Sequence, residues 1–107
     1  MVEGDAAIRQ AILLLLSTTP GERVMRPDYG SRLHRLVFAP NDDTTAGLAI
    51  HYVRQALRRW EPRVDVLDVD AGPDPDTPSR LTVRVRYRVR ASLATATILH
   101  PVELDQE

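Results

Sequence analysis

The most regular pattern in the chain is the run Arg80-Leu81-Thr82-Val83-Arg84-Val85-Arg86-Tyr87-Arg88-Val89-Arg90. Apolar and polar residues alternate through it without a slip, as in a β-strand with one face in a core and the other in water. Leu81, Val83, Val85, Tyr87 and Val89 form the inward set, and Arg84, Arg86, Arg88 and Arg90 the outward one. Arg63 to Ala71 also reads as a strand, but its phase changes. Val64 and Val66 have one parity and Leu67 and Val69 the other, which predicts a bulge near Val66. Thr95 to Leu99 reads as a third strand, and the acidic tail from Glu103 is expected to fray. Elsewhere the spacing is helical. Ile8, Ala11, Ile12, Leu15 and Leu16 predict a helix from about Ala6 to Ser17, with Asp5 as its cap. Leu13 and Leu14 widen that apolar stripe almost all round, which suits a helix covered on more than one side. Ala46, Ala49, Ile50, Val53, Ala56, Leu57 and Trp60 predict a second helix over about Thr45 to Trp60, behind the cap-rich stretch Asn41-Asp42-Asp43-Thr44-Thr45. A short helical turn, Ser31 to Val37, precedes it.

Two main helices, a short helical turn and a three-stranded antiparallel meander make an α+β fold, with the helices packed on one face of a small sheet. The 107 residues suit one domain with a core over about 5–102 and a frayed tail over 103–107. The Pro-rich segment Gly72 to Ser79 then reads as a hairpin loop, not a linker. Cysteine is absent, which excludes disulfides and thiolate metal sites. The longest apolar run, Ala11 to Leu16, falls well short of the ~20 residues a bilayer span needs. Glu3 and Asp5 make the leading segment acidic, unlike a secretory signal, so a cytoplasmic protein without membrane insertion is expected. A formal net charge of −1 provides no global field for nucleic acid, although every one of the 14 basic residues is arginine.

Candidate chemistry is sparse. The arginine strand is a basic stripe, but the stacking aromatics of single-strand binders are missing. Asp68 and Asp70 share its two-residue spacing, so a hairpin would set those acids opposite the arginines. The outward arginines therefore read as a salt-bridged or solvated face, a protein-binding face, or, least in keeping with the composition, a nucleic-acid contact. His34, His51 and His100 fall on three different elements without metal-ligand spacing. Glu22 and Glu61 are the acids a glycosidase would use, yet each has an arginine close by in sequence, which opposes the raised pKa of a general acid. No serine sits in a nucleophile motif. No cofactor is implied.

The elbow Thr18 to Ser31, "TTPGERVMRPDYGS", reads as structure. Pro20, Gly21, Pro27 and Gly30 restrict its backbone, and Glu61-Pro62-Arg63 stands at the other helix-to-strand junction. Charges of opposite sign at the two corners predict that Glu61 pairs with Arg23 or Arg26 and that Arg63 pairs with Asp28.

These residues also carry a resemblance. The combination T-x-x-G-x-R (from Thr18), P-x-[FY]-G-x-x-L (from Pro27), Val37-Phe38 and Glu61-Pro62-Arg63, followed by the long alternating strand, resembles the baseplate-wedge family of contractile tails. These are the small "lysozyme-like" wedge subunits of contractile phages, type VI secretion systems and extracellular injection particles. The resemblance spans Ile8 to Leu104. It implies a non-enzymatic assembly protein with a sheath-subunit-like fold. The subunit would bind larger wedge proteins beside the hub, sit in a multi-copy ring, and offer the sheath subunit a strand-exchange template. The family motifs fall on Gly21 and Arg23, on Pro27, Tyr29 and Gly30, and on Glu61, Pro62 and Arg63. Partner-facing candidates are Arg84, Arg86, Arg88 and Arg90, together with Leu13 and Leu14. Family members carry a longer segment before the first helix, where this sequence has Met1 to Gly4; either the member is minimal or a partner supplies that surface. A regulatory adaptor of related fold and a carbohydrate-cleaving enzyme are the other classes the sequence leaves open.

Overall fold

The computed structural model describes residues 3–22 and 25–105. Helix α1 spans Glu3–Ser17 and α2 spans Asp43–Trp60, with a 3₁₀ turn at Leu33–Leu36 between them. Strands β1 (Val64–Pro73), β2 (Arg80–Val89) and β3 (Thr95–Glu103) follow and pair in the order β1-β2-β3, antiparallel throughout. Both helices cover the same face of the sheet, so the α+β architecture is as the sequence predicts.

The core lies where the periodicities place it. Leu81, Val83, Val85, Tyr87 and Val89 of the central strand are buried. They pack with Ile8, Ile12, Leu15 and Leu16 of α1 and with Ala49, Val53, Ala56 and Leu57 of α2. The small alanines let α2 lie close against β1 and β2. Its first turn is closed by Asp42, whose carboxylate accepts the Thr45 N–H at 3.0 Å, a cap worth about 1 kcal/mol. The bulge falls between Val66 and Asp68, which keeps Val64 and Val69 both buried despite their opposite parity.

Four boundaries differ from expectation. Strand β1 continues through Gly72 and Pro73, which pair with Thr82 and Leu81, so the hairpin loop is shorter than Gly72 to Ser79. Helix α1 begins at Glu3, so Asp5 is not its cap; the buried Asp5 carboxylate instead accepts the Ser92 hydroxyl at 2.9 and 3.1 Å, tying the helix start to the β2–β3 turn. Strand β3 runs past Leu99 to Glu103. The tail from Glu103 does not fray at its start either. Leu104 is 3% exposed, its N–H donates to the Ser79 carbonyl at 2.8 Å, and the Asp105 N–H donates to the Val37 carbonyl. No helix among the described residues is long and apolar enough to cross a membrane.

Candidate functional site

The elbow closes against α1 through backbone acceptors that the helix end leaves unpaired. Thr18 Oγ1 donates to the Leu14 carbonyl at 2.6 Å, Ser31 Oγ to the Leu16 carbonyl at 2.9 Å, and the Ser31 N–H to the Thr18 carbonyl at 2.9 Å. That last contact requires glycine at position 30. Its φ is +136°, and a Cβ there would run into the Thr18 carbonyl oxygen and crowd the Pro20 nitrogen at 3.0 Å. Gly21, at φ +99°, makes the other reversal.

The far side of the elbow grips the end of α2. Tyr29 meets Trp60 edge-on, with ring centroids 5.4 Å apart. The Arg59 and Arg26 guanidinium groups lie 4.9 and 5.6 Å from the Trp60 ring centroid, within cation–π range. Arg59 Nη2 also lies 3.3 Å from Asp28 Oδ2. Beyond Trp60, the Glu61 carboxylate is buried at 4% exposure and accepts two bonds from Arg63, Nε to Oε1 at 2.6 Å and Nη2 to Oε2 at 2.8 Å. This hydrogen bond is the main cause that raises the Arg63 guanidinium above its ordinary pKa.

Two of the predicted pairs, Arg63 with Asp28 and Arg26 with Glu61, give way to other partners. Arg63 turns back to Glu61 across Pro62 and does not reach Asp28, which is taken by Arg59 one turn earlier. Arg26 lies over Trp60 and forms no ion pair with Glu61. Arg23 lies outside the described residues. Sequence reasoning passed over Arg59 and Trp60 as clamp members. Trp60, the one tryptophan of the chain and the immediate neighbour of Glu61, was the available signal.

On the open face of the sheet the arginines are largely compensated. Arg84 lies 3.6 Å from both Asp68 and Asp70; Arg88 and Arg90 lie 3.7 and 2.8 Å from Asp65; Arg80 lies 2.7 Å from Glu103. Arg86 has no ion-pair partner among the described residues. β2 is the central strand, so its arginines decorate the middle of the face and not a rim. Leu14 is 46% exposed, whereas Leu13 packs partly against the core; of the predicted helix surface only Leu14 stands clear.

The rims of the sheet are the outer edges of β1 and β3. In antiparallel pairing alternate residues turn their backbone groups away from the neighbouring strand. The Val89 N–H donates to Ala94 and the Leu104 N–H to Ser79, so Thr95, Thr97, Leu99, Pro101 and Glu103 face outward on β3. The Arg90 N–H donates to Arg63 and the Asp74 N–H to Arg80, so Val64, Val66, Val69, Ala71 and Pro73 face outward on β1. Such rows are templates for another strand.

The depression between elbow and α2 encloses only ≈ 60 Å³; two others reach the size of a small ligand pocket, ≈ 340 Å³ between the α1 end and β3 and ≈ 360 Å³ beside Asp5, Arg9 and Tyr87. No cluster of three or more His, Asp or Glu side chains among the described residues is placed to hold a metal ion. Glu22 and Glu61 are both committed, the first to the Thr19 N–H and the second to Arg63.

Residues 2–94 match the model of a family described as baseplate wedge protein gp25. The baseplate wedge protein gp25 of Enterobacteria phage T4 is 30% identical over 86 residues, or 80% of this chain. The chain spans 64% of that relative's length. A crystal structure from Geobacter sulfurreducens, of a protein described as a candidate tail lysozyme, superposes with a TM-score of 0.89 at 36% identity; the match covers 100% of this chain and 96% of that one. A chain of the anti-feeding prophage baseplate superposes with a TM-score of 0.73 at 31% identity, covering 78% of this chain and 66% of its own.

Proposed function

Since the chain belongs to the baseplate wedge protein gp25 family, we propose that it is a non-enzymatic assembly subunit of a contractile injection machine. It takes a place in a multi-copy ring, binds larger wedge subunits near the hub, and starts the first sheath ring by accepting a strand from a sheath subunit. The observation that carries this reading is the pair of outward backbone rows on β1 and β3, held on a scaffold whose corners are clamped. An extended arm docks on such a row through main-chain hydrogen bonds, with side chains selecting the partner. The Geobacter sulfurreducens relative is described as a candidate lysozyme, but here the two acids that chemistry would draw on are engaged. A proton donor at Glu61 would have to break both bonds to Arg63. The test is deletion of the chain from the organism that makes the particle. The expected result is free tube and sheath subunits with no sheathed particles, restored by the intact gene. Normal sheathed particles in the deletion strain, or peptidoglycan hydrolysis by the purified chain that Glu61→Gln abolishes, would overturn the proposal.

A further inference from the structure

The two rims are not equally open. On β3 the Thr97 carbonyl already accepts Arg9 Nη1 at 3.2 Å, and Pro101 has no N–H to offer. These two blocked positions alternate with open ones, so no two consecutive outward residues of β3 between Thr95 and Glu103 are both free. On β1 the blocked positions are adjacent. The Ala71 N–H is taken by the Asp70 carboxylate at 2.9 Å, and Pro73 again lacks its N–H. That leaves the outward backbone groups of the neighbours Val64 and Val66, and of Val69 beyond the bulge at Leu67, to which no described residue donates or offers a backbone hydrogen bond.

The charge beside that row is one-sided. Arg54 and Arg58, one turn apart on α2, line a depression of ≈ 250 Å³ with Val64, Asp65, Val66 and Arg90. Asp65 is the only acid there, and it is shared between Arg90 at 2.8 Å and Arg88 at 3.7 Å. Arg54 and Arg58 are exposed and have no ion-pair partner among the described residues. The bulge between Val66 and Asp68 twists this part of the edge, which discourages long, flat, indiscriminate pairing. A short segment anchored by charge suits the site better.

We infer that the free half of the β1 rim, Val64 to Val69, is the acceptor for a short extended acidic segment of a neighbouring protein, with Arg54 and Arg58 as its charge anchors. This rests on the assembly reading above and adds which rim is used and what charge the arm carries. Main-chain bonds to Val64, Val66 and Val69 hold the strand, and the two arginines reject basic arms by repulsion.

The test uses the purified full-length chain and a fluorescein-labelled peptide of alternating Glu and Val, with an alternating Lys and Val peptide as control. Binding is read by anisotropy at two salt concentrations and located by amide hydrogen exchange. The expected result is saturable binding of the acidic peptide that weakens with salt. Exchange should slow at the Val64, Val66 and Val69 amides. Arg54→Glu with Arg58→Glu, both exposed on a helix surface, should lower affinity about tenfold or more and turn preference towards the lysine peptide. Unchanged melting of that variant shows that the effect is at the rim. Equal binding of both peptides, protection confined to Thr95 and Leu99, indifference to the double charge reversal, or no binding at millimolar peptide would each overturn the inference. All of these are read without the particle. Failure here alongside loss of sheathed particles on deletion rejects the rim assignment alone, and sheathed particles in the deletion strain reject the assembly role alone.

Discussion

Gly30 occupies a position that other residues fill only with strain. Its positive φ and the Thr18 carbonyl pressed against it mean that a methyl group would force the elbow off the end of α1. Gly30→Ala should cost about 2–5 kcal/mol, combining backbone strain with overpacking, read as a drop in the urea midpoint with an unchanged slope. A loss below about 0.5 kcal/mol, the range of neutral surface changes, would show that the elbow does not depend on that contact. The glycine and proline positions of the elbow were legible because they act on their own backbone. The ion pairs were not, since a partner is set by which of several long, flexible side chains the tertiary packing brings within reach. Glu61 is satisfied two residues away by Arg63, and Asp28 by an arginine on α2. Opposite charges at two junctions predicted that clamps exist but not their membership.

Among the elements, β2 was legible end to end because it is central, with one face packed and the other wet. β3 was half legible. Pro101 reads as a strand breaker, yet its missing N–H points away from β2, so the ladder runs through it unharmed to Glu103. The acidic composition of the tail hid Leu104, whose side chain closes the end of the core. Leu104→Ala should therefore destabilise the domain by about 2–4 kcal/mol, a shift that a thermal melt resolves easily. A melting temperature equal to the parent would support the frayed end that composition alone suggests. The rims were legible as a class, because any small open sheet has two. Their unequal blocking was not, since it depends on the long-range reach of Arg9 to Thr97 and on the register that turns Ala71 outward.

For the molecule as a whole, two clamped corners set two helices on one face of a three-stranded sheet and leave its other face and both margins to solvent. The arginine stripe, the most conspicuous feature of the sequence, is mostly neutralised within the sheet by Asp65, Asp68, Asp70 and Glu103. What is left for partners is backbone, with charge beside it on α2. On the proposed reading, its work is to add a neighbour's strand to its own sheet. The most direct measurement is a cryo-EM map of the assembled particle at a resolution that traces strands. The account predicts this chain in the baseplate ring with an extended segment of another subunit hydrogen-bonded along one of its sheet margins. A map with the chain in place and both margins bare would contradict it.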